Sequence, residues 1–152
     1  MPTESQDALI ATRGSKRKIL IAHNSYQQSG GEDFVVQSEA QMLKRAGYDV
    51  RVHLVHNSQI NGPLSMLHTS LSTVRNHRTE GEFEAILKDF RPHLVHFHNT
   101  FPLLTPSIYS LCVKRNIRVV QTLHNFRLLC AGALLMRDGA VCEKCIGKSF
   151  YW

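Results

Sequence analysis

The chain has 152 residues, 43% of them hydrophobic, and a formal net charge of +6 with its nine histidines left neutral. That length fits one domain, able to bury roughly 70% of the surface its unfolded chain exposes, and the composition argues against intrinsic disorder. The positive residues are scattered from Lys16 to Lys18 through Lys44, Arg45, Arg75, Arg78, Lys114, Arg115 and Lys144 to Lys148, which speaks against a dedicated nucleic-acid surface. Attraction to an anionic membrane face or a phosphorylated substrate is as compatible with them. No apolar run approaches the ~20 residues of a membrane helix. Met1 to Lys18 lacks the apolar core and cleavage site of an export signal and reads as a polar, disordered tail over 1–17. The expected location is cytoplasmic, with peripheral contact at the inner membrane face left open.

The first expected strand is Lys18 to Ala22, a short apolar run of the kind found in buried parallel sheets. The polar segment His23 to Gly31 leads to a helix over about Glu32–Ala46, whose apolar positions Phe34, Val35, Ala40, Leu43 and Ala46 are assigned to one face. Gly47 stops it. Asp49 to Asn57 gives a second strand, and Asn61-Gly62 a turn. Pro63 to Arg78 carries a weakly amphipathic helical pattern. Glu82 to Phe90 carries a stronger one, ended before Pro92. His93 to Asn99 is the third strand. Thr105-Pro106 opens a helix to about Asn116, and Ile117 to Asn125 is the fourth strand. Phe126 to Trp152 is loop-like, with a hairpin signal at Asp138-Gly139. Alternating strands and helices predict an α/β, Rossmann-like, doubly wound and mostly parallel sheet with helices on both faces.

In open α/β sheets ligands bind beyond the carboxyl ends of the strands. Three of those ends carry His-Asn pairs: His23-Asn24, then His98-Asn99 after His96, and His124-Asn125. A lone histidine after a strand is more often a hydrogen-bonded or solvated side chain than a catalytic one. Several converging on one crevice are harder to explain that way. Gly30-Gly31 lies between the first strand and the first helix, where backbone N–H groups can meet an anionic or hydroxyl-rich ligand. It is not the G-x-G-x-x-G fingerprint, and no acidic residue closes the second strand, so an NAD-dependent enzyme is disfavoured. Cys130-x11-Cys142-x2-Cys145 has the spacing of a structural zinc site with three thiols. Packed or free cysteines are the competing reading. His124 is available as a fourth ligand but has a better use at its strand end. Cys112 reads as a core residue.

Taken together, "SGGED", "HLVHFHNTFPLLTPSI", "VVQTLHNFRLLC" and "RDGAVCEKC" resemble the N-terminal domain of family-four retaining glycosyltransferases of the GT-B fold, over about Lys18 to Trp152. The resemblance implies the acceptor-side half of an enzyme that moves a sugar from a nucleotide-sugar donor to a glycan or lipid acceptor. On that likeness Gly30, Gly31 and Glu32 approach the donor, His98, Asn99 and Asn125 bind substrate, and His124 stands by the transferred sugar as the catalytic candidate. No cofactor is required for catalysis, and Cys130, Cys142 and Cys145 match a subset of the family in which a further cysteine follows downstream. The donor-binding domain is expected on a missing C-terminal part or a partner chain, and the isolated chain is expected to be inactive. A non-catalytic glycan-binding or regulatory module and one subunit of a split glycosyltransferase are the alternatives. An unrelated doubly wound domain would need a phosphate loop or an acidic pocket at the strand ends.

Overall fold

A computed structural model describes residues 16–25, 30–56, 76–100 and 103–147. The expectations for the N-terminal tail, the Asn61-Gly62 turn, most of the Pro63–Arg78 helix and the last five residues of the Phe126–Trp152 loop fall outside them. The elements are β1 (Lys18–Ser25), α1 (Gly31–Arg45), β2 (Asp49–His56), α2 (His77–Phe90), β3 (Leu94–Phe97), α3 (Ser107–Lys114), β4 (Arg118–Gln121) and the short strands β5 (Met136–Arg137) and β6 (Ala140–Val141). The first four strands form one sheet in the order β2-β1-β3-β4, with every adjacent pair parallel. The fold is therefore α/β with a four-stranded parallel sheet, compatible with the Rossmann-like expectation. No helix among the described residues is long and apolar enough to cross a membrane.

Alternation along the strands divides the core in two. Leu20 and Ala22 of β1 and Val95 and Phe97 of β3 face α2 and α3, where they pack with Phe83, Leu87, Phe90, Leu104, Ile108 and Cys112. Ile19, Ile21 and Val50 face the other way, against Val36 and Ala40 of α1. Helices thus cover both faces, as a parallel sheet requires. Cys112 is fully buried, as expected, and its thiol is pushed up to about 11 by burial.

Two local expectations are corrected. The buried stripe of α1 is Val36, Ala40 and the partly buried Leu43, whereas Phe34 and Val35 are exposed. At 100° per residue, positions 36, 40 and 43 share a face that 34 and 35 do not. Second, β1 does not stop at Ala22. It continues through His23, Asn24 and Ser25, paired in register with Leu54, Val55 and His56 of β2, and these polar residues are buried. Sheet pairing satisfies their backbone, so polarity alone does not end the strand.

The remaining boundaries follow local chemistry. α2 begins five residues before the expected start, because the Asn76 side chain accepts a hydrogen bond from the Thr79 N–H at its N-terminus. Gly47 stops α1 with a φ of +91°, a conformation glycine adopts without steric cost. Asp138 and Gly139, with φ of 52° and 76°, form the turn joining β5 to β6, the left-handed pair that a two-residue hairpin favours.

Candidate functional site

The sheet order reverses direction between β1 and β3: the chain leaves β1 for β2 on one side and returns to β3 on the other. Crevices at such a switch point are where open α/β sheets hold ligands. The backbone locks the two strand ends together there. His98 N–H donates to the Ala22 carbonyl at 3.1 Å, Asn24 N–H donates to the Asn99 carbonyl at 2.7 Å, and the Asn99 amide donates to the Asn24 carbonyl at 3.2 Å. On the far side of β3, the Gln121 amide donates to the His98 carbonyl and to the Thr122 carbonyl, while Tyr109 Oη donates to the Gln121 side-chain oxygen. These bonds fix the positions of the groups that follow.

Four of the expected site residues, His98, Asn99, His124 and Asn125, line one cavity of about 300 Å³ together with Gln121, Arg127 and the apolar Leu123, Leu128 and Pro106. A few convergent polar groups on a largely apolar wall is the usual composition of a small-molecule site. Their tasks differ. Asn99 is buried and its amide already holds Asn24. Asn125 Oδ1 accepts the Arg127 N–H at 3.0 Å, which shapes the turn after β4. His98 is fully enclosed. His124 is half-buried and is the imidazole that a ligand in the cavity can reach.

Behind the cavity wall the histidines form a network with α1. His98 Nδ1 lies 3.0 Å from His124 Nε2, the two rings stacked with centroids 5.2 Å apart. His96 Nε2 lies 2.8 Å from Thr122 Oγ1, and His96 Nδ1 lies 2.5 Å from Glu39 Oε1. His98 Nε2 lies 3.2 Å from Glu39 Oε2, yet makes no hydrogen bond among the described residues. Burial, reinforced by His96, His124 and His23, lowers the His98 pKa to about 4, so this imidazole is neutral at physiological pH. Glu39, His96 and His98 are also the described residues whose ligand atoms could hold a metal ion, all lying within 4.8 Å of one another.

A second carboxylate joins the end of β1. Asp33 Oδ1 accepts from Ser25 Oγ at 2.7 Å and lies 3.2 Å from His23 Nε2, and its Oδ2 accepts the Gly30 N–H at 2.9 Å. Burial acts to raise the Asp33 pKa, but the Gly30, Ser25 and His23 hydrogen bonds outweigh it and hold the carboxyl below its ordinary range. Burial lowers the pKa of His23 despite the Asp33 and Glu32 charges beside it.

Gly30, Gly31 and Glu32 sit at the start of α1 and do not line the cavity beside His124. Glu32 acts at a distance, through its charge on His23, and Asp33 is the first-turn carboxylate that reaches the end of β1. A Cβ at Gly30 or Gly31 would meet nothing within 4 Å. Gly31→Ala is therefore expected to leave the unfolding free energy within about 1 kcal/mol of the parent, as measured by urea denaturation. A larger loss would mean the glycine serves the fold rather than access to the helix N-terminus.

Cys130, Cys142 and Cys145 line a separate cavity of about 340 Å³ with Met136, Arg137 and Lys144. All three are free thiols. The β5–β6 hairpin turns the chain back, with Cys142 N–H donating to the Leu135 carbonyl at 2.8 Å. The three sulfurs expected to bind zinc nevertheless do not form a group of ligand atoms lying within 4.8 Å of one another, as Glu39, His96 and His98 do. Backbone N–H groups of Leu135, Gly132, Leu134 and Ala133 are directed at the Cys130 sulfur and lower its pKa, which favours the thiolate that a metal or an electrophile needs.

Glu39, Asp33, Gln121 and Thr122 are among the site residues that the sequence pattern does not single out. The signal for Glu39 was its place beside Val36, Ala40 and Leu43, a charged residue on the edge of the stripe facing the sheet. Compared with protein-family models, with curated proteins and with solved structures, the chain matches none, so the reading of the site rests on its own residues.

Proposed function

We propose that this chain is the acceptor-side, Rossmann-like half of a GT-B retaining glycosyltransferase, and that the cavity beside His124 holds the acceptor or the transferred sugar. The observation that carries the reading is the convergence of His98, Asn99, His124 and Asn125, from the ends of two adjacent parallel strands, on one cavity beside the switch point of the sheet. Sugars present hydroxyls around an apolar ring face. A lining that combines Leu123, Leu128 and Pro106 with imidazole and amide groups suits both features.

In this reading His124 exchanges a hydrogen bond with a sugar hydroxyl. His98, neutral and enclosed, fixes the orientation of the His124 ring from behind. The start of α1, where the Gly30 N–H is held by Asp33 and the Gly31 N–H stands at the helix N-terminus, supplies a positive helix end to the phosphates of a nucleotide-sugar donor. A departing diphosphate would be stabilised there by donors already in place. Leu123 and Leu128 at the cavity, and Phe126, Leu129 and Leu134 in the segment that follows β4, leave large apolar side chains exposed. Such a surface supports a facing donor-binding domain or partner chain, which would complete the cleft.

A panel of soluble glycans and short-chain lipid-linked sugars, followed by protein-observed NMR, tests the reading. At least one class is expected to shift the Asn99, His124 and Asn125 resonances, with His124→Ala weakening it about tenfold, the effect of one lost hydrogen bond. Absence of such shifts across the panel, or equal affinity in the His124→Ala chain, would refute it. Binding without sugar transfer in the presence of a donor-domain partner would instead favour a glycan-binding module.

A further inference from the structure

We propose that Glu39, His96 and His98 form a site for a divalent first-row transition-metal ion that fastens α1 to the end of β3. The three residues come from two elements packed face to face. Glu39 lies on the side of α1 that covers the sheet, and His96 and His98 flank the buried Phe97 around the end of β3. Their ligand atoms lie within 4.8 Å of one another, and the His96 and His98 ring centroids are 4.4 Å apart. In a tetrahedral site with metal–ligand distances near 2 Å, donor atoms stand roughly 3.3 Å from each other. Glu39 Oε2 and His98 Nε2 already stand 3.2 Å apart. The Glu39–His96 contact of 2.5 Å opens to that spacing with a small turn of the carboxylate.

Two further observations separate a metal site from a simple ion pair. His98 Nε2 is completely buried and has no hydrogen bond among the described residues, although a carboxylate oxygen lies within reach. A nitrogen placed off the line of that oxygen is poorly set to donate a proton to it and well set to share a common point with it. The opposite nitrogen of each imidazole is engaged, His96 Nε2 with Thr122 Oγ1 and His98 Nδ1 with His124 Nε2. Outer partners of this kind orient metal-binding histidines. Two imidazoles and one carboxylate suit zinc, iron, nickel or copper ions rather than magnesium or calcium, which take oxygen donors. Three protein ligands leave a fourth position for water or a ligand.

The site also sets the hydrogen bonding of His124. With a metal on His98 Nε2, the proton of that neutral ring sits on Nδ1 and is donated to His124 Nε2. His124 then keeps its own proton on Nδ1 and presents a donor. Metal occupancy thereby fixes which partner the reachable imidazole can take, through a ring that never touches the ligand.

The test uses the full chain, stripped with a chelator and given Co²⁺ or Zn²⁺ alone. A C130S/C142S/C145S chain removes three thiols as competing ligands and leaves only Cys112, which is fully buried in the core. It is expected to bind one Co²⁺ with ligand-field bands and no sulfur-to-cobalt charge-transfer band. E39Q is expected to abolish that uptake, and T122V, which removes only an outer partner, to weaken it about 10- to 100-fold. A C130S/C142S/C145S chain that binds no Co²⁺, or E39Q binding as tightly as its parent, overturns the proposal. Should a variant fail to fold, ¹⁵N imidazole spectra of the unsubstituted chain titrated with Zn²⁺ decide the matter. Shifts at His96 Nδ1 and His98 Nε2 with an Nδ1–H on His124 are expected, and their absence refutes the site. No sugar or nucleotide enters these measurements, so their failure leaves the glycosyltransferase reading standing, and the converse holds.

Discussion

Phe97→Ala is expected to lower the unfolding free energy by about 3–5 kcal/mol, the usual cost of emptying a buried phenylalanine site. Phe97 is fully buried. Its ring lies 5.8 Å from that of Phe83 in α2 and 4.6 Å from that of Tyr109 in α3, so the truncation opens a void between three elements at once. The same residue separates His96 from His98 and pins the end of β3 against both helices. Because a domain's total stability is only about 5–15 kcal/mol, the alanine chain should be close to its folding limit. Phe97→Leu keeps most of the volume and is expected to lose about 1.5 kcal/mol or less. Urea unfolding of the three chains measures the differences. A loss under about 1 kcal/mol for alanine would show that β3 is not the packing centre of that face.

Acid should destabilise the chain in two steps, the first beginning near pH 6.5 and not near 4. The pKa values of His98, His23 and His53 are all lowered by burial, that of His98 to about 4. Each imidazole therefore binds its proton more readily in the unfolded chain. As pH falls below 6.5 the unfolded state takes up protons that the folded state refuses, so stability falls until the folded-state values are reached. His98 alone, shifted from 6.5 to about 4, contributes a loss of about 3 kcal/mol across that window, at 1.36 kcal/mol for each pKa unit. Asp33 adds the second step. Its pKa is held below the ordinary carboxylate value, so its contribution is present above that value and lost as pH falls through the folded one. Urea unfolding of chelator-treated protein at pH 7.5, 6, 5 and 4.5 should show the decline, and His98→Gln should flatten it. A pH profile level down to 5 would mean His23 and His98 are not enclosed as described.

The architecture was legible in the sequence because hydrophobic periodicity records burial directly. The apolar runs at Lys18, Asp49, His93 and Ile117 each became a parallel strand, and Asp138-Gly139 became the turn between β5 and β6. Phe34 and Val35 are apolar yet exposed, because residue type alone does not set facing and the helix period selects Val36 and Ala40. The extension of β1 through His23, Asn24 and Ser25 was invisible for a different reason. Sheet pairing and neighbouring side chains satisfy those groups, and both come from segments far away in the chain. The cavity-lining role of His98, Asn99, His124 and Asn125 followed from one rule about strand ends. Asp33 and Glu39 did not, since that rule says nothing about side chains reaching the same place from the helix that covers the sheet.

The sheet order also sets the sequence of events by which the site can be assembled. β1 lies between β2 and β3, and the contact joining Lys18 to His93 spans 75 positions of the chain. By contrast, α2, β3, α3 and β4 form one continuous stretch in which His98 meets His124 across 26 positions. Closing a long loop costs more entropy than closing a short one, and distant pairings are slow to form. The pair of rings at the cavity wall can therefore come together within the C-terminal half of the sheet. Glu39 meets them only once β1 has inserted beside β3 and carried α1 across the sheet. Closure of the carboxylate–imidazole cluster therefore requires that the central strand has taken its place.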